Sequence, residues 1–171
     1  LRILFSESEA AIAAELTFNL TPLSVVVEKT GQDEMVLWAS LESMADRGLV
    51  YAKLDKHSHP RYSLLPTIPG LFEFPFMRLT NAALRDELGR LWHQYHLEAL
   101  GNEFAGSKTP QMRVISVQKS LPITTEVLPY EIVSSMIETA EYIALADCAC
   151  RTSLGNCDKP REVCLLFGAH G

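Results

Sequence analysis

Polar residues open each apolar stretch of this chain, and the apolar positions that follow recur in one of two periods. Ser6-Glu7-Ser8-Glu9 has the form of a capping box, with Glu three positions after Ser. It predicts a helix over 10–20 with Ile12, Leu16 and Leu20 on one face. Thr21-Pro22 reads as an N-cap followed by proline at the first helical position, opening a short helix over 22–29 that Gly31 stops. Asp33 caps a third helix through Arg47, with Leu37, Leu41 and Met44 toward the core and Gly48 at its end. The period then changes. Residues 49–54 and 61–65 read as two strands about a polar turn at 55–60.

Three helices followed by a β-hairpin resemble the winged helix-turn-helix arrangement over residues 1–68, a resemblance in fold that says little about function. Pro66, Pro69 and Gly70 mark a boundary. The connector at 71–76 carries three phenylalanines and is expected to pack between the two halves. Asn81 caps a long helix over 82–104, whose apolar face is Leu84, Leu88, Leu91, Trp92, Tyr95 and Leu100. A strand over 113–117, a helix over 130–140 and an extended segment over 143–146 follow. The expected class is therefore α+β: a winged-helix-like domain, 1–68, then a mixed α/β region, 69–171, ending in a cysteine-rich segment.

That segment changes the picture most. All four cysteines fall in one run, Cys148, Cys150, Cys157 and Cys164, spaced C-x-C-x6-C-x6-C. Thiolates gathered so locally can satisfy a metal ion or a cubane cluster from nearby sequence alone. Structural zinc more often uses C-x2–4-C pairs at both ends of its site. The wider, irregular set here favours iron–sulfur, with zinc as the alternative and free thiols or disulfides third. Asp158-Lys159-Pro160 reads as the start of a helix over 161–167, which would set Cys157 just before a helix N-terminus and Cys164 further along it. Arg151 would hydrogen-bond a cluster or pair with Asp147 or Asp158.

The phrases Cys148-Ala149-Cys150-Arg151, Cys157-Asp158-Lys159-Pro160 and Cys164-Leu165-Leu166-Phe167-Gly168 carry a resemblance. Together with Leu65-Pro66-Thr67-Ile68-Pro69-Gly70-Leu71-Phe72-Glu73 and Lys119-Ser120-Leu121-Pro122, the chain resembles a little-characterised family of 4Fe–4S ferredoxin or 4Fe–4S binding proteins of anaerobes with an N-terminal winged-helix-like half. The resemblance implies a [4Fe–4S] cluster on Cys148, Cys150, Cys157 and Cys164 and a redox or electron-transfer role with a partner protein. Members usually carry further cysteines downstream, and none follow here. The start without Met and the stop at Gly168-Ala169-His170-Gly171 suggest a piece of a longer protein.

Charge weighs the alternatives. A net charge of −6 argues against a surface built for nucleic acid. Residues 1–75 carry six Lys/Arg against ten Asp/Glu, and the third helix sets Asp33, Glu34, Glu42 and Asp46 against Arg47 alone. A redox- or oxygen-sensing winged-helix regulator that binds DNA is therefore the second reading, disfavoured by its acidic recognition helix. A zinc-stabilised interaction module is the third. No export signal and no membrane-length apolar run stand in the sequence, so a cytoplasmic site with reduced thiols is expected. His57 and His59 read as turn residues, and His93 and His96 as the polar margin of the long helix. The stripe on that helix would serve a core or a homodimer. No nucleophile–base pair or phosphate loop is present, and four cysteines leave no open iron, so no catalysis by this chain alone is expected.

Overall fold

The computed structural model describes residues 1–78, 81–106, 108, 130–156 and 158–167. It is a mixed α+β structure with two small sheets. The expected strand at 113–117 and the expected ligand Cys157 lie outside the described residues.

In the first half the local signals act where the sequence places them. Helix α1 spans Glu7–Ala14, and both bonds of the capping box form: Glu9 N–H donates to Ser6 Oγ at 3.3 Å, and Ser6 N–H to Glu9 Oε2 at 2.9 Å. The helix ends six residues short of Leu20, because Thr17 turns the chain and its carbonyl accepts from Leu64 N–H at 2.8 Å. Ile12 and Leu16 stay buried, whereas Leu20 is exposed. Helix α2, Leu23–Thr30, closes at Gly31 with φ +64°, a left-handed cap. Asp33 Oδ1 accepts from Met35 and Val36 N–H and opens α3, Glu34–Asp46.

The pair Thr21–Pro22 does not supply the expected cap: the N-cap of α2 is Pro22, with no side-chain bond, and the helix begins at Leu23. The pair forms a short strand, β1, on the outer edge of β3 (Pro60–Leu64), whose other edge pairs with β2 (Val50–Leu54). The order β1-β3-β2 is antiparallel throughout, with Tyr62 across from both Thr21 and Ala52. Leu37, Leu41, Met44, Val26 and Tyr62 are fully buried between the helices and this sheet, with Ile12, Leu16, Leu49 and Val50 around them.

Residues 67–71 are an irregular connector that leads into α4, Glu73–Arg78. The aromatic segment packs inward as expected: Phe76 is buried and Phe72 meets the rings of Phe76 and Trp92 edge-on, at 5.7 and 5.3 Å. Asn81 Oδ1 accepts from Leu84 N–H and starts α5, Ala82–Tyr95. This helix runs through one wider turn, 96–100, into α6, Gly101–Gly106, so the long helix forms over its expected length. Leu88 and Leu100 are buried, while Leu91 and Tyr95 remain partly exposed. A second core joins Phe76 and Leu88 to Ala149, and Leu4 touches both cores.

The last part departs from expectation. Helix α7, Tyr130–Thr139, and strand β4, Ile143–Asp147, stand where the pattern puts them. The segment after Pro160 is a strand, β5 (Glu162–Phe167), antiparallel to β4, not a helix. A seven-residue helix gains little from its own hydrogen bonds, whereas the ladder to β4 satisfies both backbones at once. The helix lies earlier instead: α8, Ala149–Leu154, closed by Gly155 at φ +65°.

Candidate metal centre

The register of β4 and β5 positions the cysteines. Ala146 faces Cys164 and Asp147 faces Glu162, so Val163 is an extra residue that kinks the ladder beside the site. Cys148 follows directly on β4. Its N–H donates to Arg161 O at 2.8 Å, and its carbonyl accepts from Thr152 N–H at 2.9 Å to begin α8. Cys148 is thus the residue on which the strand becomes a helix, although its side chain makes no capping bond. Cys150 stands in the first turn of α8 and is exposed, while Cys148 and Cys164 are half-buried. All three thiols are free.

Burial pushes the Cys150 thiol above its ordinary value, and the charges of Cys148, Glu73 and Cys164 push it the same way. Cysteines from α8 and β5 therefore act on one another across the fold. Among the described residues, however, no three Cys, His, Asp or Glu side chains are gathered into a metal-holding group. The donor type fits a four-thiolate centre; Cys148 and Cys164 stand at the end of one hairpin, and Cys150 in the helix that follows Cys148. Cys157 lies outside the described residues. The expectation that Cys157 precedes a helix carrying Cys164 is corrected, because Cys164 is on a strand and the neighbouring helix begins at Cys148.

Among the described residues Arg151 makes no ion pair with Asp147 or Asp158. Its guanidinium donates to the Pro160 carbonyl and ties α8 to the loop that enters β5. Glu73, not among the expected site residues, acts on the Cys150 thiol through its charge from α4, and its Oε2 accepts from Gly70 N–H at 2.6 Å. His93 and His96 line a cleft of about 300 Å³ between α5 and α8 together with Phe72, Trp92 and Cys150. Their spacing suggested only a polar margin. Their nearness to the cysteines comes from the packing of α5 on α8. His57 and His59 belong to the turn between β2 and β3, where Asp55 Oδ1 accepts from both of their backbone N–H groups.

The outward face of α3 carries Glu34, Met35, Val36 and Trp38. Arg47, the cation at its end, is engaged by Glu9 and by the Leu4 carbonyl. Among the described residues, no helix is long and apolar enough to cross a membrane. No family model matches the chain, and no curated protein or solved structure matches it either.

Proposed function

We propose that this chain is a cytoplasmic iron–sulfur protein of redox or electron-transfer type, related to the ferredoxin-like family it resembles, with a [4Fe–4S] cluster on Cys148, Cys150, Cys157 and Cys164. The observation that carries this reading is the β4–β5 register. It sets Cys164 across from Ala146, two residues before Cys148, so cysteines far apart in the motif share the end of one hairpin. When bound, such a cluster supplies one-electron transfer. Half-burial of Cys148 and Cys164 keeps bulk water from part of the site, a property on which cluster potentials depend. Cys150 is exposed, which is compatible with electron transfer to a partner protein on that side.

The first half, three helices and a hairpin in winged-helix order, then serves as a protein-docking module rather than a DNA reader. Support comes from α3, whose outward residues are acidic and apolar and whose terminal Arg47 is already paired. A cluster-sensing regulator remains the second reading, and a salt-sensitive shift of duplex DNA would favour it.

Anaerobic purification with visible spectra and iron, sulfide and zinc assays tests the main reading on wild type, Cys157→Ser and Cys164→Ser. The expected result is a brown protein with about four iron and four sulfide per chain, lost in both variants. A colourless protein holding about one zinc overturns the redox reading and leaves a zinc-stabilised interaction module. A protein with neither metal overturns both.

A further inference from the structure

The face of α3 that flanks the core carries its own stripe. Glu34, Met35, Trp38 and Glu42 recur at helical spacing beside Leu37, Leu41 and Met44. Together with Leu54 and Pro60 from the hairpin they line a groove of about 380 Å³. Its apolar residues are unusually open: Met35 is 69% exposed, Leu54 61% and Trp38 42%. Large apolar side chains grouped in this way on a well-packed element mark an interaction site more often than chance exposure does.

The groove is also firmly built. Tyr62 is fully buried beneath it, and its hydroxyl donates to Glu42 Oε1. Glu42 is therefore held from below, by a side chain of the core. Glu34 and Glu42 supply the charge among the lining residues, and no Lys or Arg lines the groove. A nucleic-acid backbone would meet two carboxylates here and no free cation from α3, since Arg47 is held by Glu9.

We propose that this groove docks a basic, amphipathic segment of a partner protein, with large apolar side chains seated between Trp38, Met35 and Leu54 and Lys or Arg facing Glu34 and Glu42. Charge complementarity fixes the sign of the partner, and the apolar floor fixes its amphipathic character. The inference rests on the first half of the chain and stands whether or not the cysteines hold a cluster.

A fluorescently labelled Leu/Lys amphipathic helix of about 15 residues and its Leu/Glu counterpart are titrated with the whole chain and followed by anisotropy. Variants Met35→Ser and Glu34→Lys lie at exposed positions, and circular dichroism confirms their folding. The expected result is binding of the basic peptide alone, weakened about tenfold or more by either variant. Four outcomes overturn the proposal: binding of neither peptide, equal binding of both, binding indifferent to both variants, or a self-association of the chain that Met35→Ser abolishes. Salt-sensitive binding of duplex DNA that Glu34→Lys strengthens and the basic peptide displaces would likewise overturn it, by assigning the groove to nucleic acid.

Discussion

Gly89 on α5 and Ser153 on α8 meet backbone to backbone. A Cβ built at 89 would stand 1.9 Å from the Ser153 carbonyl oxygen. This approach sets Ala149 and Cys150 against α5 and completes the second core with Phe76 and Leu88. Gly89→Ala therefore separates two opposing effects. In an exposed helix the change would stabilise by about 1 kcal/mol. Here overpacking against fixed backbone outweighs that gain, by about 1–3 kcal/mol. Urea denaturation should show a net loss. A variant as stable as wild type, or more so, would mean that α8 is not seated on α5 as described.

The capping box of α1 is coupled to α3 through Glu9, which accepts from Ser6 N–H and pairs with Arg47. Partial burial alone would raise the Glu9 carboxyl, but the two Ser6 hydrogen bonds and the Arg47 charge outweigh it and hold the group below its ordinary 4.5. A depressed folded value means that stability is fully present above about 4.5 and is lost as pH falls through the lower folded value. Glu9→Gln should cost less than about 1 kcal/mol at neutral pH, because the pair is near the surface. The gap between variant and wild type should narrow as pH drops toward 3. Urea midpoints measured across that range would refute the linkage if the gap were constant.

Tyr62 fixes the floor of the α3 groove by donating its hydroxyl to Glu42. Burial first, and then the Glu42 carboxylate, push its phenol well above the ordinary value of 10. Tyr62→Phe removes that bond and leaves the Glu42 carboxylate without its partner, at about 1–2 kcal/mol. Spectroscopic titration should also find one tyrosine that resists ionisation until the fold is lost at alkaline pH, and the variant should lack it. An unchanged count of late-titrating tyrosines would place Tyr62 in water.

What could be read from the sequence was local. Ser6 with Glu9, Asp33, Asn81 and Gly31 each act on backbone within a few residues, and each caps the helix it was expected to cap. What could not be read depends on pairings across the chain. Nothing around Thr21 announces that it will lie beside Tyr62. Val163 to Phe167 is apolar enough for either period, and only the open edge of β4 decides for a strand. The C-x-C pair draws attention to this segment, but Cys148 gives no capping signal, so the sequence does not announce the helix that starts on it. Glu73 reaches Cys150, and His93 and His96 reach the same cleft, only because α4 and α5 fold onto α8.

The two cores give the proposed cluster a separable contribution. The first, around Leu37, Leu41, Met44 and Tyr62, draws on residues no later than Leu71, whereas Ala149, between Cys148 and Cys150 in sequence, packs with Phe76 and Leu88 in the second. Metal removal by an iron chelator under reducing conditions should therefore loosen one part and spare the other. Hydrogen exchange should quicken in α8 and in the β4–β5 ladder, where backbone bonds such as Cys148 N–H to Arg161 O hold the ligands in place. Exchange in α3 and β3 should stay within a few-fold of the loaded protein, since their bonds close over the first core. Leu4, which touches both cores, and Gly48 link the two: at φ +71° Gly48 packs on the Phe74 backbone, with space for no Cβ. Uniform acceleration over the whole chain would show that the cluster supports both cores through those contacts. No change anywhere would show that no metal had been holding the hairpin.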